Sequence, residues 1–106
     1  MNYIRQMVRV LESETFLHWR SKLKDRVAVA RITARITRLS NGYFGDSKYL
    51  RDSIRELRID HGPGYRVYFT LRGDSLILLL AGGDKTTQAA DIDRALKLAE
   101  SWRTET

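Results

Sequence analysis

Residues 54–81, IRELRIDHGPGYRVYFTLRGDSLILLLA, hold three runs of β-forming residues separated by two turns. The runs 54–60, 65–71 and 75–81 are rich in Ile, Leu, Val, Tyr and Phe, with His61-Gly62-Pro63-Gly64 and Gly73-Asp74 between them. Gly73-Asp74 suits a short hairpin turn with glycine first. The last run is apolar almost throughout (LILLLA), as in a central strand covered on both faces. Three strands joined by short turns predict an antiparallel sheet.

Upstream, residues 3–11 alternate Ile4, Val8 and Val10 with Arg5, Gln6 and Arg9, the pattern of a half-exposed first strand. Ser13 or Thr15 can cap a short helix carrying Phe16, Trp19 and Leu23. Asp25 can cap a second, on which Val29, Ile32, Ile36 and Leu39 repeat at helical spacing until Asn41-Gly42 ends it. Residues 42–52 show no sustained period and read as a loop. After the sheet, Asp84, Thr86 or Thr87 can cap a last helix with Ile92, Ala95, Leu96 and Ala99 on one face. The order β-α-α-β-β-β-α predicts a single α+β domain over residues 1–106, with a four-stranded, mainly antiparallel sheet and helices packed on it.

The chain has 106 residues, enough for one core, and no cysteine, which excludes disulfides, thiolate metal sites and cysteine nucleophiles. Its net charge of +6 favours phosphate-rich or acidic partners. Arg5 and Arg9 interrupt the N-terminal apolar residues, and no stretch approaches the ~20 apolar residues of a membrane span, so the expected location is the cytoplasm. With two histidines and no carboxylates at ligand spacing, neither a metal site at His18 nor a cofactor is expected.

Strand alternation divides the candidate chemistry between two faces. Tyr65, Val67, Phe69 and Leu71 share one side with Leu57 and Ile59 as the core set; Glu56, Arg58, Asp60, Arg66, Tyr68 and Thr70 lie opposite. Arg58, Arg66 and Tyr68 are therefore expected on an exposed face, at a separation set by the turn. Two guanidiniums there can grip a scissile phosphate and a tyrosine ring can stack on a base. The competing reading pairs Arg58 with Glu56 or Asp60 at the surface. His61 is a candidate for proton transfer by its residue type, or is a solvated turn residue. Gly82-Gly83-Asp84-Lys85 lies between strand and helix, where its amides and Lys85 can meet a phosphate, although the spacing is not that of a P-loop. Arg31, Arg35 and Arg38, with Arg26 nearby, form a basic helical stripe that suits a nucleic-acid backbone, an acidic partner or plain solvent. Arg72-Gly73-Asp74 is explained by its turn.

ELRIDHGPGYRVYF (56–69), followed by LILLLAGGDKTTQAADIDRA (76–95) and preceded by FLHWRSKLKDRVAVARI (16–32), resembles the RelE/ParE toxin superfamily, and more closely its HigB-like branch of addiction-module killer proteins. The resemblance implies an antiparallel sheet with helices on one side. It also implies a metal-independent, ribosome-dependent endoribonuclease that cuts mRNA and inhibits translation. A cognate helix-turn-helix antitoxin is implied as partner, with operator DNA engaged through it and no membrane. By resemblance, Arg66 stabilises the transition state while Arg58 and Lys85 bind or orient the phosphate. RNase relatives carry a tyrosine or histidine near the C-terminus, whereas TTQAADIDRALKLAESWRTET after Lys85 has neither. Proton handling then falls to Tyr68, His61 or the arginines. Two alternatives remain open: a ParE-like inhibitor of DNA gyrase, and a non-catalytic module that binds antitoxin and operator.

Overall fold

The computed structural model describes residues 8–104 and orders them as β1 (Arg9–Glu12), α1 (Glu14–Ser21), α2 (Arg26–Ser40), β2 (Ser47–Arg51), β3 (Ile54–Ile59), β4 (Tyr65–Arg72), β5 (Leu76–Gly83) and α3 (Gln88–Thr104). Local chemistry starts each of the first two helices as expected. The Ser13 hydroxyl accepts from the Phe16 amide at 3.0 Å, and Asp25 accepts from the Val27 and Ala28 amides at 2.9 and 3.2 Å, satisfying donors with no partner inside the helix.

The sheet departs from expectation in number and direction. Five strands lie in the order β1-β5-β4-β3-β2, with β1 parallel to β5 and every other pair antiparallel. The added strand, β2, falls within residues 42–52, which read as a loop. Its hairpin to β3 turns through Asp52 and Ser53 at φ 49° and 69°, without a glycine to announce it. The Thr70 hydroxyl holds this turn by donating to the Ser53 carbonyl at 2.8 Å, and the Ser53 amide donates to the Tyr49 hydroxyl at 3.3 Å. β1 covers the end of the strand expected over residues 3–11; residues 3–7 lie outside the described residues. The β4–β5 loop has three residues rather than two, since Arg72 pairs with Leu76.

Helices cover both faces, not one. Phe16 of α1 with Ile32 and Leu39 of α2 packs on Leu57, Ile59, Val67, Phe69, Ile77 and Leu79. On the opposite face, Ala95 and Ala99 of α3 pack on Ile54, Tyr68, Leu78, Leu80 and Ala81. Each fully buried Leu, Ile or Phe contributes about 1.5–3 kcal/mol. Covered on both sides, β5 is the interior strand its composition predicts.

An irregularity in β5 aims its end. Tyr68 pairs with Ala81 but Phe69 with Leu79, so Leu80 is an extra residue and the alternation slips by one. The Ser13 hydroxyl donates to the Leu80 carbonyl at 2.7 Å. Gly82 then lies under the Trp19 ring and Gly83 against the Asp91 carboxylate and Thr87 hydroxyl, where any Cβ would overlap these groups. The two glycines thus belong to the strand and admit a helix on each face; the reading of them as a strand-to-helix turn is corrected.

Candidate functional site

Register decides whether the two arginines meet. Arg58 of β3 stands directly opposite Arg66 of β4, and Arg66 in turn stands opposite Gly83 of β5. Two residues beyond Gly83, the chain brings Lys85 beside the β3–β4 turn, where its Cβ lies 3.6 Å from the position of a Cβ on Gly64. Arg58, Arg66 and Lys85 therefore line one pocket of about 490 Å³, together with Asp46, Ile59, Asp60, Gly62, Pro63 and Gly64. Repulsion among three cations that share one pocket is eased by nearby carboxylates or by an anion.

The three cations are partnered unequally. Arg58 is held by Asp46, whose Oδ1 accepts from Nε at 3.1 Å and lies 2.8 Å from Nη2. Arg66 has a side chain only 12% exposed, with Nε 3.8 Å from Glu56 Oε1, beyond hydrogen-bond reach. Among the described residues that Nε is buried without an acceptor, and Nη1 makes only a long 3.4 Å bond to the Tyr65 carbonyl. Lys85 is exposed and forms no ion pair among the described residues. The pocket thus holds one neutralised cation and two with unspent capacity, an arrangement suited to an anion of phosphate size.

Glu56, expected on an open face, is 3% exposed under the start of α3, where its Oε2 accepts from Gln88 Nε2 at 2.9 Å. Arg35 is also corrected. Instead of standing on a solvated stripe, it turns inward and donates to the carbonyls of Arg58 at 2.6 Å, Phe44 at 3.3 Å and Asp46 at 3.2 Å. Burial pushes its pKa down, with the Asp46 charge opposing the shift. Gly45, at φ 60°, lets this guanidinium approach, because a Cβ there would lie 2.9 Å from Nη2. Arg31 and Arg38 remain exposed.

Two other candidates stand apart from the pocket. Tyr68 is fully buried beneath α3, not exposed, and its ring offers no face for a base. Its hydroxyl has no hydrogen-bond partner among the described residues, and burial, reinforced by the Glu56 charge, pushes its pKa far up. His61 points toward α2, with Nε2 2.9 Å from Asp25 Oδ2 and its ring stacked at 6.5 Å on Tyr65. The hydrogen bond from His61 is the largest cause holding the Asp25 carboxyl below its ordinary range.

Sequence reasoning missed Asp46, Gln88 and the buried role of Glu56. Asp46 lay in the segment read as a loop, and only the pairing of β2 with β3 brings it to Arg58. Among the described residues no three His, Asp or Glu side chains gather as metal ligands, and no helix is long and apolar enough to cross a membrane.

Fold and pocket together define an α+β protein with helices on both sheet faces and a cationic hollow at one end. The chain belongs to the family described as Phage derived protein Gp49-like (DUF891), whose model matches residues 19–101. It is also similar to an uncharacterized protein of Haemophilus influenzae, with 50% identity over 93 residues covering 88% of this chain and 94% of that one.

Proposed function

We propose that this protein is the toxin of a type II toxin-antitoxin module and acts as a metal-independent endoribonuclease on mRNA at the ribosome. The observation that carries this reading is the convergence of Arg58, Arg66 and Lys85 on one pocket, with Arg66 under-partnered. The resemblance of ELRIDHGPGYRVYF and its flanks to HigB-like toxins supplies the substrate class, and the Gp49-like family is consistent with it.

In this mechanism the RNA 2′-hydroxyl attacks the adjacent phosphorus, the 5′-oxygen leaves, and a 2′,3′-cyclic phosphate remains. Arg66 faces the charge that grows on the phosphoryl oxygens, while Arg58 and Lys85 orient the phosphate. Asp60 lines the pocket and, unlike Asp46, forms no ion pair among the described residues; in this mechanism its carboxylate takes the hydroxyl proton, and water protonates the leaving oxygen. A helix-turn-helix antitoxin, and operator DNA engaged through it, complete the proposed partnership.

One observation favours a second reading. Among the described residues neither an imidazole nor a phenol lines the pocket, which suits a protein that grips its target without cutting, as a ParE-like gyrase inhibitor would. Expression without the antitoxin should arrest growth, and Arg66→Ala should relieve the arrest while the antitoxin still co-purifies. An Arg66→Ala variant that arrests cells as strongly as the parent removes Arg66 from the mechanism.

A further inference from the structure

Beside the cationic pocket lies a second hollow. Its walls are Arg38, Asn41, Tyr43 and Gly45, and it encloses about 680 Å³. Gly45 faces this hollow and the next residue, Asp46, faces the first, so a single peptide link forms the ridge between them. Arg35 makes the ridge firm from below, through its bonds to the carbonyls of Phe44 and Asp46.

Tyr43 is the feature with no structural account. The residue is 64% exposed, and its side chain makes no hydrogen bond or ring contact among the described residues. Tyr49, also exposed, differs in having its hydroxyl bonded to Ser53 and Arg55 over its ring. The Tyr43 backbone is fixed all the same, since its amide donates to the Arg38 carbonyl at 2.9 Å. An exposed ring is thereby held close in the chain fold to an exposed arginine that forms no ion pair among the described residues. Asn41 spends its amide nitrogen on the Thr37 carbonyl at 3.0 Å, which leaves its amide oxygen free to accept.

A hydrogen-bonded ridge, an idle aromatic face, a cation without an ion pair among the described residues and a free acceptor match the chemistry of one nucleotide of a single strand. Resting on the reading of the first pocket as a phosphate grip, we propose that this hollow is a nucleotide subsite for single-stranded RNA. The strand crosses the Gly45–Asp46 ridge from the gripped phosphate, its next base stacks on Tyr43, and Arg38 meets the following phosphate.

The test is the affinity of the full-length protein and its variants for a short fluorescein-labelled single-stranded RNA, measured by anisotropy across a salt series. Tyr43→Ala should weaken binding about tenfold with the salt slope unchanged, the size and signature of a lost base–aromatic stack. Tyr43→Phe should bind as the parent does, and Tyr43→Leu should not rescue. Arg38→Ala should flatten the salt slope by roughly the share of one phosphate contact. Parent-like RNA affinity in Tyr43→Ala overturns the subsite, even if that variant loosens the antitoxin. If Arg66→Ala weakens binding in the same series, the phosphate pocket survives that failure; if the parent binds no RNA, both fall.

Discussion

Arg66 carries a buried donor with no acceptor among the described residues, 3.8 Å from a carboxylate that Gln88 already engages. An unsatisfied buried donor costs about 1–3 kcal/mol, and an anion in the pocket would relieve that cost. Inorganic phosphate should therefore raise the melting temperature of the parent and leave that of Arg66→Ala unchanged, because only a native state with the grip intact gains from the ligand. Arg35→Ala should destabilise by about 2–3 kcal/mol in urea unfolding, since one cationic side chain serves three carbonyls. Asp25 gives a pH prediction. Its pKa in the folded protein is depressed below the ordinary 3.8, so its contribution is present above that value and fades as pH falls through the lower folded one. Asp25→Asn should accordingly flatten the acid limb of stability against pH while changing the neutral plateau less. The sequence placed Arg58 and Arg66 on one side of the sheet, because a period of two is all that requires. It did not place them opposite each other, since register depends on the turn, nor did it show that Tyr68 on the same side is sealed beneath a helix.

The elements were legible where capping and periodicity agreed, as at Ser13, Asp25 and the apolar repeat of α2. β2 was not, because a short edge strand reading SKYLR lacks an apolar alternation, and its turn at Asp52-Ser53 lacks the usual glycine. The parallel pairing of β1 with β5 was equally hidden, as it joins segments more than sixty residues apart and leaves no local mark. The polar alternation of β3 and β4 suggested open solvent, whereas α3 covers that face and the polar groups are partly satisfied by one another. Gly82 and Gly83 tie these elements together. Gly82→Ala should cost about 3 kcal/mol or prevent folding, since a Cβ would overlap the Trp19 ring. Gly42→Ala, at a position with nothing within 4 Å, should cost only the strain of its left-handed φ of 88°. Thermal unfolding of the two variants side by side checks the contrast.

Across the whole molecule, a net charge of +6 becomes a directed field only because the fold gathers Arg58, Arg66 and Lys85 at one end and leaves Arg38 exposed across the ridge. Affinity for RNA or ribosomes should fall steeply with added salt as phosphate contacts release counterions. A salt-independent affinity would place the binding surface elsewhere. The central claim is that this pocket cuts RNA rather than only holding a target. Mapping mRNA 5′ ends after the protein is induced without its antitoxin tests it most directly. The account predicts new ends clustered at codons within translated frames for the parent and their absence for Arg66→Ala; intact mRNA accompanied by a DNA-damage response would contradict it.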